Sequence, residues 1–262
     1  MLAHRELGKG GQPLVFLHGF FASCADLEPL AERLVDEGTR AYLPDLLGHG
    51  DSPELPEFAD LSTMADALIA WLDENGIRAR VPVIAHSMGG RVALRAFDRF
   101  PDRVGSLVLL DAPPGAVLER RSPLSPFMRA MCAAPQRAAS EPELMEVFDR
   151  VMMGEALREW IRSRVKRDDE GFTWDFDRQR LAGYRSASIE EDLWPVVARL
   201  DPSEVRVFAP RVSPYFRAAD RERYAGLGIE VHSHPDATHD MHRAMPPEFV
   251  SAIAALLRTG SR

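Results

Sequence analysis

The stretch VPVIAHSMGGRVALRAF, from Val81 to Phe97, constrains the fold more than any other part of the chain. An apolar run enters a single serine, Ser87, and leaves as a helical pattern, with no residues to spare for a loop between them. A strand that turns directly into a helix strains the backbone at the turn and keeps its neighbours small, and Ala85 and Gly89 flank Ser87 at two residues on either side. Such a turn holds the Ser87 hydroxyl at the carboxyl end of a strand, where the ligand-handling groups of α/β sheets collect. The plainer role for Ser87 is to cap the helix that follows it, and capping is compatible with chemistry.

Other apolar runs share this rhythm and predict strands over Pro13 to Leu17, Arg40 to Pro44, Val81 to Ala85, Leu107 to Leu110, Val205 to Phe208 and Ile229 to His232, with a weaker one from Leu2 to Leu7. Between them, Ala25 to Glu37, Met64 to Asn75, Gly89 to Phe100 and Glu248 to Leu257 carry apolar residues at helical spacing. Strands alternating with helices imply the α/β class, a mostly parallel sheet flanked by helices. The rhythm breaks after Asp111, where about ninety residues pass before the next convincing strand, far more than a loop needs. The expected division is therefore a core over 1–111, a helical lid over 112–200, and a second part of the core over 201–262.

The lid segment runs through Pro113, Pro114, Pro123, Pro126, Pro135 and Pro142, then a helix expected from Pro142 to Lys166, then GFTWDFD from Gly171 to Asp177. It reads as short helices with kinked joints. Met128, Met131, Met145, Met152 and Met153 are expected as core filler, because methionine packs irregular gaps. No internal repeat or low-complexity tract is present.

With 45% hydrophobic and 27% charged residues the chain can bury a core, and its net charge of −8 lacks the basic field that draws proteins to nucleic acid or anionic membranes. Arginines gather at Arg120 and Arg121 and from Arg158 to Arg167, where interleaved acids suggest a solvated helix face. Cys24 and Cys132 make no disulfide framework and no metal-ligand spacing, and Cys24 is expected as a small buried filler. The start, MLAHRELGKGGQP, does not read as a signal peptide, and no run approaches membrane-spanning length, so a cytoplasmic protein is expected. Oligomeric state cannot be read from the sequence.

A serine hydroxyl is a weak nucleophile, so a histidine must take its proton and a carboxylate must hold that histidine in the right tautomer. HPDATHDMHRAMPPEFV places His239 after the last strand and before a proline-started helix, where a general base is expected. The carboxylate is harder to place, because VRVFAPRVSPYF puts Ser213 and Pro214 where an acid after the penultimate strand would stand. Asp220 lies downstream, on an expected surface helix. Asp111, ending SLVLLDAPP directly after the serine's helix, is the better carboxylate, its alternative being a turn residue before Pro113.

In LVFLHGFFAS a strand ends at His18-Gly19-Phe20, so the amides of Phe20 and Met88 are expected to hold an oxyanion, with Gly19 allowing close approach. His86 is expected to pack or hydrogen-bond rather than act as base. His232, His234 and His242 with Asp236 and Asp240 lack a metal-site spacing, so no metal is expected. Phe20, Phe21, Phe127, Trp174 and Phe176 are candidates for an apolar acyl pocket, with core packing the alternative for each.

From the HGF loop through YLPDLLGHGDS, AHSMGG and VLLDAPP to ATHDMH, the chain resembles the α/β-hydrolase superfamily. Asp111 as the acid, the segment GFTWDF and the Ser-Pro-Tyr from Ser213 to Tyr215 look like the YbfF-like compact bacterial esterases, which also hydrolyse acyl-CoA thioesters. The resemblance implies a helical lid after strand six, the strand ending at Asp111. It also implies Ser87 as nucleophile, Asp111 as acid, His239 as base, and the Phe20 and Met88 amides as oxyanion donors. Asp45 and His49 match a segment that looks structural. A serine at position 87 argues against the carboxylate-nucleophile epoxide hydrolases and haloalkane dehalogenases. The expected activity is hydrolysis of a small acyl ester or thioester through an acyl-enzyme, with no cofactor. Cleavage of a C–C bond, lactone or amide, perhydrolysis, or a non-catalytic sensor on the same fold remain open.

Overall fold

The computed structural model describes residues 1–116, 126–149, 151, 154–213 and 215–259. Arg120, Arg121, Pro123, Met152, Met153 and Pro214 lie outside them, as does the side chain of Met128. The first half of the core runs β1 (His4–Leu7), β2 (Gln12–Leu17), α1 (Glu28–Leu34), β3 (Thr39–Pro44), α2 (Leu61–Glu74), β4 (Val81–His86), α3 (Met88–Arg99) and β5 (Val104–Leu110). An inserted segment follows, with α4 (Pro126–Ala133), β6 (Arg137–Ala138), α5 (Glu141–Met145), α6 (Glu155–Arg162), β7 (Val165–Asp168), β8 (Gly171–Trp174), α7 (Arg178–Glu190) and α8 (Trp194–Val197). The core then closes with β9 (Val205–Phe208), α9 (Ala218–Gly226), β10 (Val231–His232) and α10 (Pro247–Thr259).

The core strands form one seven-stranded sheet in the order β1-β3-β2-β4-β5-β9-β10, parallel except for β1 against β3. Because side chains alternate along a strand, each central strand feeds two cores. Val15, Leu17, Val83, Ala85, Leu107 and Leu109 pack with α2 and α3 on one face. Leu14, Phe16, Ile84, Val108 and Leu110 pack with α1 and α10 on the other. Burial on both faces is why these strands read as continuous apolar runs rather than alternating ones.

The inserted segment corrects three expectations. It is not wholly helical: β6, β8 and β7 form a three-stranded antiparallel sheet, and the expected lid peptide GFTW is the middle strand, paired from Trp174 with Val165 to Gly171 with Asp168. The helix expected from Pro142 to Lys166 is instead α5, a single 3-10 turn at Glu146–Phe148, and α6 starting after Gly154, with Lys166 already on β7. The turn residues Asp169 and Glu170, followed by Gly171 at φ 120° where β8 begins, reverse the chain and commit its flanks to a hairpin. The arginine run is also not one solvated helix face. Arg162 sits on α6 facing Glu155, Arg167 lies on β7 over the Phe172 ring, and Arg164 is buried.

Both ends of the insertion meet at one buried side chain. Arg91, on α3, donates to the carbonyls of Pro113 at 2.9 Å and Gly115 at 3.2 Å near the entry, and of Ser188 at 2.8 Å and Glu191 at 2.6 Å near the exit. Those bonds satisfy carbonyls that interrupted secondary structure would otherwise leave unpaired. Among the described residues no helix is long and apolar enough to cross a membrane.

Candidate active site

β4 ends at His86 and α3 begins at Met88, so Ser87 alone makes the turn. Its φ of 51° and ψ of −115° are costly for a residue with a Cβ, and packing must hold them. The Ser87 N–H donates to the Leu110 carbonyl at 2.9 Å, tying the turn to the last residue of β5. A Cβ on Gly89 would stand 2.5 Å from the Leu17 carbonyl oxygen, and one on Gly90 2.3 Å from Cβ of Ala112. The glycines after the serine therefore let α3 lie directly against β2 and the end of β5.

Asp111, one residue beyond β5, is fully buried at φ 44° and donates its N–H to the Phe208 carbonyl of β9 at 2.7 Å. Its Oδ2 lies 2.7 Å from Nδ1 of His239. An imidazole that donates from Nδ1 to a carboxylate leaves a bare lone pair on Nε2, the form a general base requires. The Ser213 hydroxyl donates to both carboxylate oxygens, at 2.9 and 3.1 Å, and accepts the N–H groups of Tyr215 and Phe216 at 3.0 Å each. A buried carboxylate needs such hydrogen-bond partners, and Ser213 occupies the place after β9 where an acid was sought. Sequence reading noted that position without giving the serine a role in the site.

His239 sits in the segment after β10 with its side chain 27% exposed. His86 Nε2 donates to the His239 carbonyl at 2.9 Å, and the rings of His86 and Tyr215 stand 4.7 and 4.5 Å from that of His239. His86 thus takes the hydrogen-bonding role expected of it. Burial, reinforced by neighbouring histidines, holds its imidazole neutral, well below the usual histidine range. Among the described residues no hydrogen bond joins Ser87 Oγ to His239; such bonds commonly tighten only when substrate is in place.

The loop after β2 lies against this turn. His18, buried, donates from Nδ1 to the Gly19 carbonyl at 2.8 Å and accepts the Leu46 N–H on Nε2 at 2.9 Å, so one neutral tautomer satisfies both. A Cβ on Gly19 would fall 2.7 Å from His86 Nδ1 and 3.3 Å from Ser87 Cβ, so the loop residue preceding Phe20 lies directly against the serine turn. Met88 is the first residue of α3, and first-turn amides have no acceptor within their helix. Asp45 is structural as expected, receiving the N–H groups of Cys24 at 2.7 Å and Asp51 at 3.1 Å. Burial pushes the Cys24 thiol up to about 12, so it stays protonated filler.

The aromatic candidates form a continuous run of rings. Phe20 meets Phe21 at 4.5 Å, Phe21 meets Phe176 at 4.9 Å, Phe176 stacks on Trp174 at 5.8 Å, and Phe148 links Trp174 to Phe127 at 6.0 and 6.3 Å. Phe21, Trp174 and Phe176 are buried in this packing, which joins the insertion to the loop after β2, whereas Phe20 and Phe127 keep partly exposed faces. A second seam was invisible in the sequence. Arg164 reaches Ser23 Oγ at 2.5 Å and Asp26 and Asp175 at 3.5 Å each, while Trp160 donates to Asp26 at 2.8 Å and Arg243 pairs with the same carboxylate. Burial raises the Asp175 carboxyl to about 7, against the pull of Arg164.

Asp220 is on α9 as expected but is not a surface residue. It is 2% exposed and accepts the Arg217 N–H at 2.9 Å and its guanidinium at 3.1 and 3.2 Å, closing the start of that helix. His232 stacks on Phe208 and His234 faces Glu248, so the histidines near the C-terminus do not converge as a group.

The model of the alpha/beta hydrolase fold family matches residues 12–150, more than half of the chain. An sn-1-specific diacylglycerol lipase of Danio rerio is 24% identical over 261 residues, covering 96% of this chain and 80% of that protein. A 2-succinyl-6-hydroxy-2,4-cyclohexadiene-1-carboxylate synthase of Salmonella arizonae is 28% identical, with 96% of each chain covered. The solved structure of a marine microorganism esterase superposes with a TM-score of 0.80 at 21% identity, covering 97% of this chain and 98% of its own. An N-acyl homoserine lactonase does so at 0.70 and 23%, covering 100% and 94%. With its sheet order, its strained serine turn and this match together, the chain belongs to the alpha/beta hydrolase family.

Proposed function

We propose that this hydrolase cleaves a small acyl ester or thioester through an acyl-enzyme on Ser87. The observation that carries the reading is the 2.7 Å bond between His239 Nδ1 and the buried Asp111, in a segment anchored by His86, the residue beside the strained serine. Ser87 Oγ attacks the substrate carbonyl while His239 Nε2 takes its proton. Asp111 steadies the imidazolium that forms, and the amides of Phe20 and Met88 receive the oxyanion. Proton return from His239 to the departing alcohol or thiol leaves the acyl group on Ser87. Water activated by the same histidine then releases the acid. The exposed faces of Phe20 and Phe127 supply apolar surface for a short acyl chain, with the inserted segment acting as the lid.

The similarity to an N-acyl homoserine lactonase favours a second reading, lactone opening by the same residues, in which the alcohol stays tethered to the product. The test is hydrolysis of p-nitrophenyl esters, CoA thioesters and acyl lactones from two to sixteen carbons, alongside fluorophosphonate labelling. Turnover and labelling that both vanish in Ser87→Ala, with a chain-length optimum, support the proposal. Labelling without turnover of any of the three classes overturns it.

A further inference from the structure

Beside the proposed site, three side chains from two distant parts of the chain converge. One ligand atom each from His86, Asp240 and His242 lies within 4.8 Å of the other two. His86 and His242 are each 4% exposed, and their rings stand 4.3 Å apart. The Nδ1 atoms of both are buried without a hydrogen-bond partner among the described residues. His86 gives its Nε2–H to the His239 carbonyl, so its unpartnered Nδ1 is a bare lone pair. Buried polar atoms without partners are uncommon and call for an explanation.

We infer that His86, Asp240 and His242 form a binding site for a divalent first-row transition ion. Two imidazoles and one carboxylate suit zinc, cobalt, nickel or copper rather than calcium or magnesium, which prefer an all-oxygen shell. Bonds of about 2.0–2.2 Å require the three donors to draw closer than they now stand. Asp240 is exposed and free to change rotamer, so it supplies that movement and the route of entry. Water completes the coordination. The sequence concealed the site because His86 lies far from the other two residues, on the far side of the insertion.

The ion binds independently of the hydrolase reading, but its effect on turnover rests on that reading. Asp240 and His242 bracket the chain next to His239, and His86 holds the His239 carbonyl. Coordination therefore immobilises the segment carrying the base. Bound metal should inhibit, and a chelator should restore activity.

The test is titration of chelator-treated protein with Co²⁺, reading its visible absorption, in parallel with ester hydrolysis. A saturable one-to-one spectrum is expected, unchanged in Ser87→Ala and weakened roughly tenfold or more in both His242→Gln and Asp240→Asn. Asp240 is exposed, so its variant keeps the test open even if the buried His242→Gln fails to fold. The site is overturned if no saturable spectrum appears up to millimolar Co²⁺, or if Asp240→Asn or a folded His242→Gln leaves the titration unchanged. Cobalt binding as described in a protein that hydrolyses nothing sinks the catalytic reading alone. Hydrolysis without a cobalt spectrum sinks the metal site alone.

Discussion

The hydroxyl of Ser213 spans both oxygens of the Asp111 carboxylate, at 2.9 and 3.1 Å, while accepting two backbone N–H groups. Asp111 is thus held by its place at the end of β5 and by a serine from the loop that follows the neighbouring strand β9. Replacing Ser213 by alanine removes one bond to a buried charge, a loss of about 1.5–3 kcal/mol, and should lower kcat/KM roughly ten- to a hundredfold. Steady-state ester hydrolysis checks this, and an unchanged kcat/KM would show that the hydroxyl serves only the loop.

Asp111→Asn should reduce turnover by about ten-thousandfold with the fold intact, because an amide stabilises the wrong histidine tautomer. Asp220→Asn should leave kcat unaltered yet lose about 1–3 kcal/mol of stability, since Asp220 is a buried helix-start acceptor paired with Arg217. Hydrolysis assays with urea unfolding of both variants decide the matter. An exchange of the two catalytic outcomes would move the acid.

Ser87→Gly should be more stable than Ser87→Ala by about 1 kcal/mol, although both are inactive. Glycine accepts a φ of 51° without strain, whereas alanine keeps the cost without the hydroxyl. Thermal unfolding of the pair measures the difference. Equal Tm values would mean that the turn stores no strain.

Asp175 makes stability depend on pH. Its carboxyl is raised from an ordinary 3.8 to about 7 by burial, so the folded state holds this proton where the unfolded chain has released it. The stability it contributes is full below about pH 4 and is lost as pH rises towards 7, at up to about 1.4 kcal/mol per pH unit. Asp175→Asn carries no proton to lose and should flatten that slope. A wild-type stability profile between pH 4 and 7 that the substitution leaves unaltered would contradict the assignment.

What could be read from the sequence divides along local and non-local lines. The core strands and the helices between them were legible because each is a short pattern complete in itself, as Val81–His86 running into Met88–Arg99 shows. The positions of Ser87 and the His18-Gly19-Phe20 loop were legible because each directly follows a strand, and that of His239 because it falls between the last strand and a proline-started helix. Within the insertion the same reasoning mistook a hairpin for helices, since Val165 to Trp174 is short and polar enough that only pairing across Asp169 to Gly171 makes it a sheet. Ser213 at Asp111, Arg164 between two carboxylates and His86 beside His242 were beyond reach for one reason: their partners are brought together by the fold, and nothing in the neighbouring residues marks them.

Arg91 gathers carbonyls from both ends of the insertion onto one guanidinium. The insertion's two ends are thereby fixed to one another on the helix behind the serine, so the length of chain between them can change without shifting a strand. Among descendants of such an architecture, new substrates can be explored by rewriting that portion alone, while the machinery beneath is inherited unchanged.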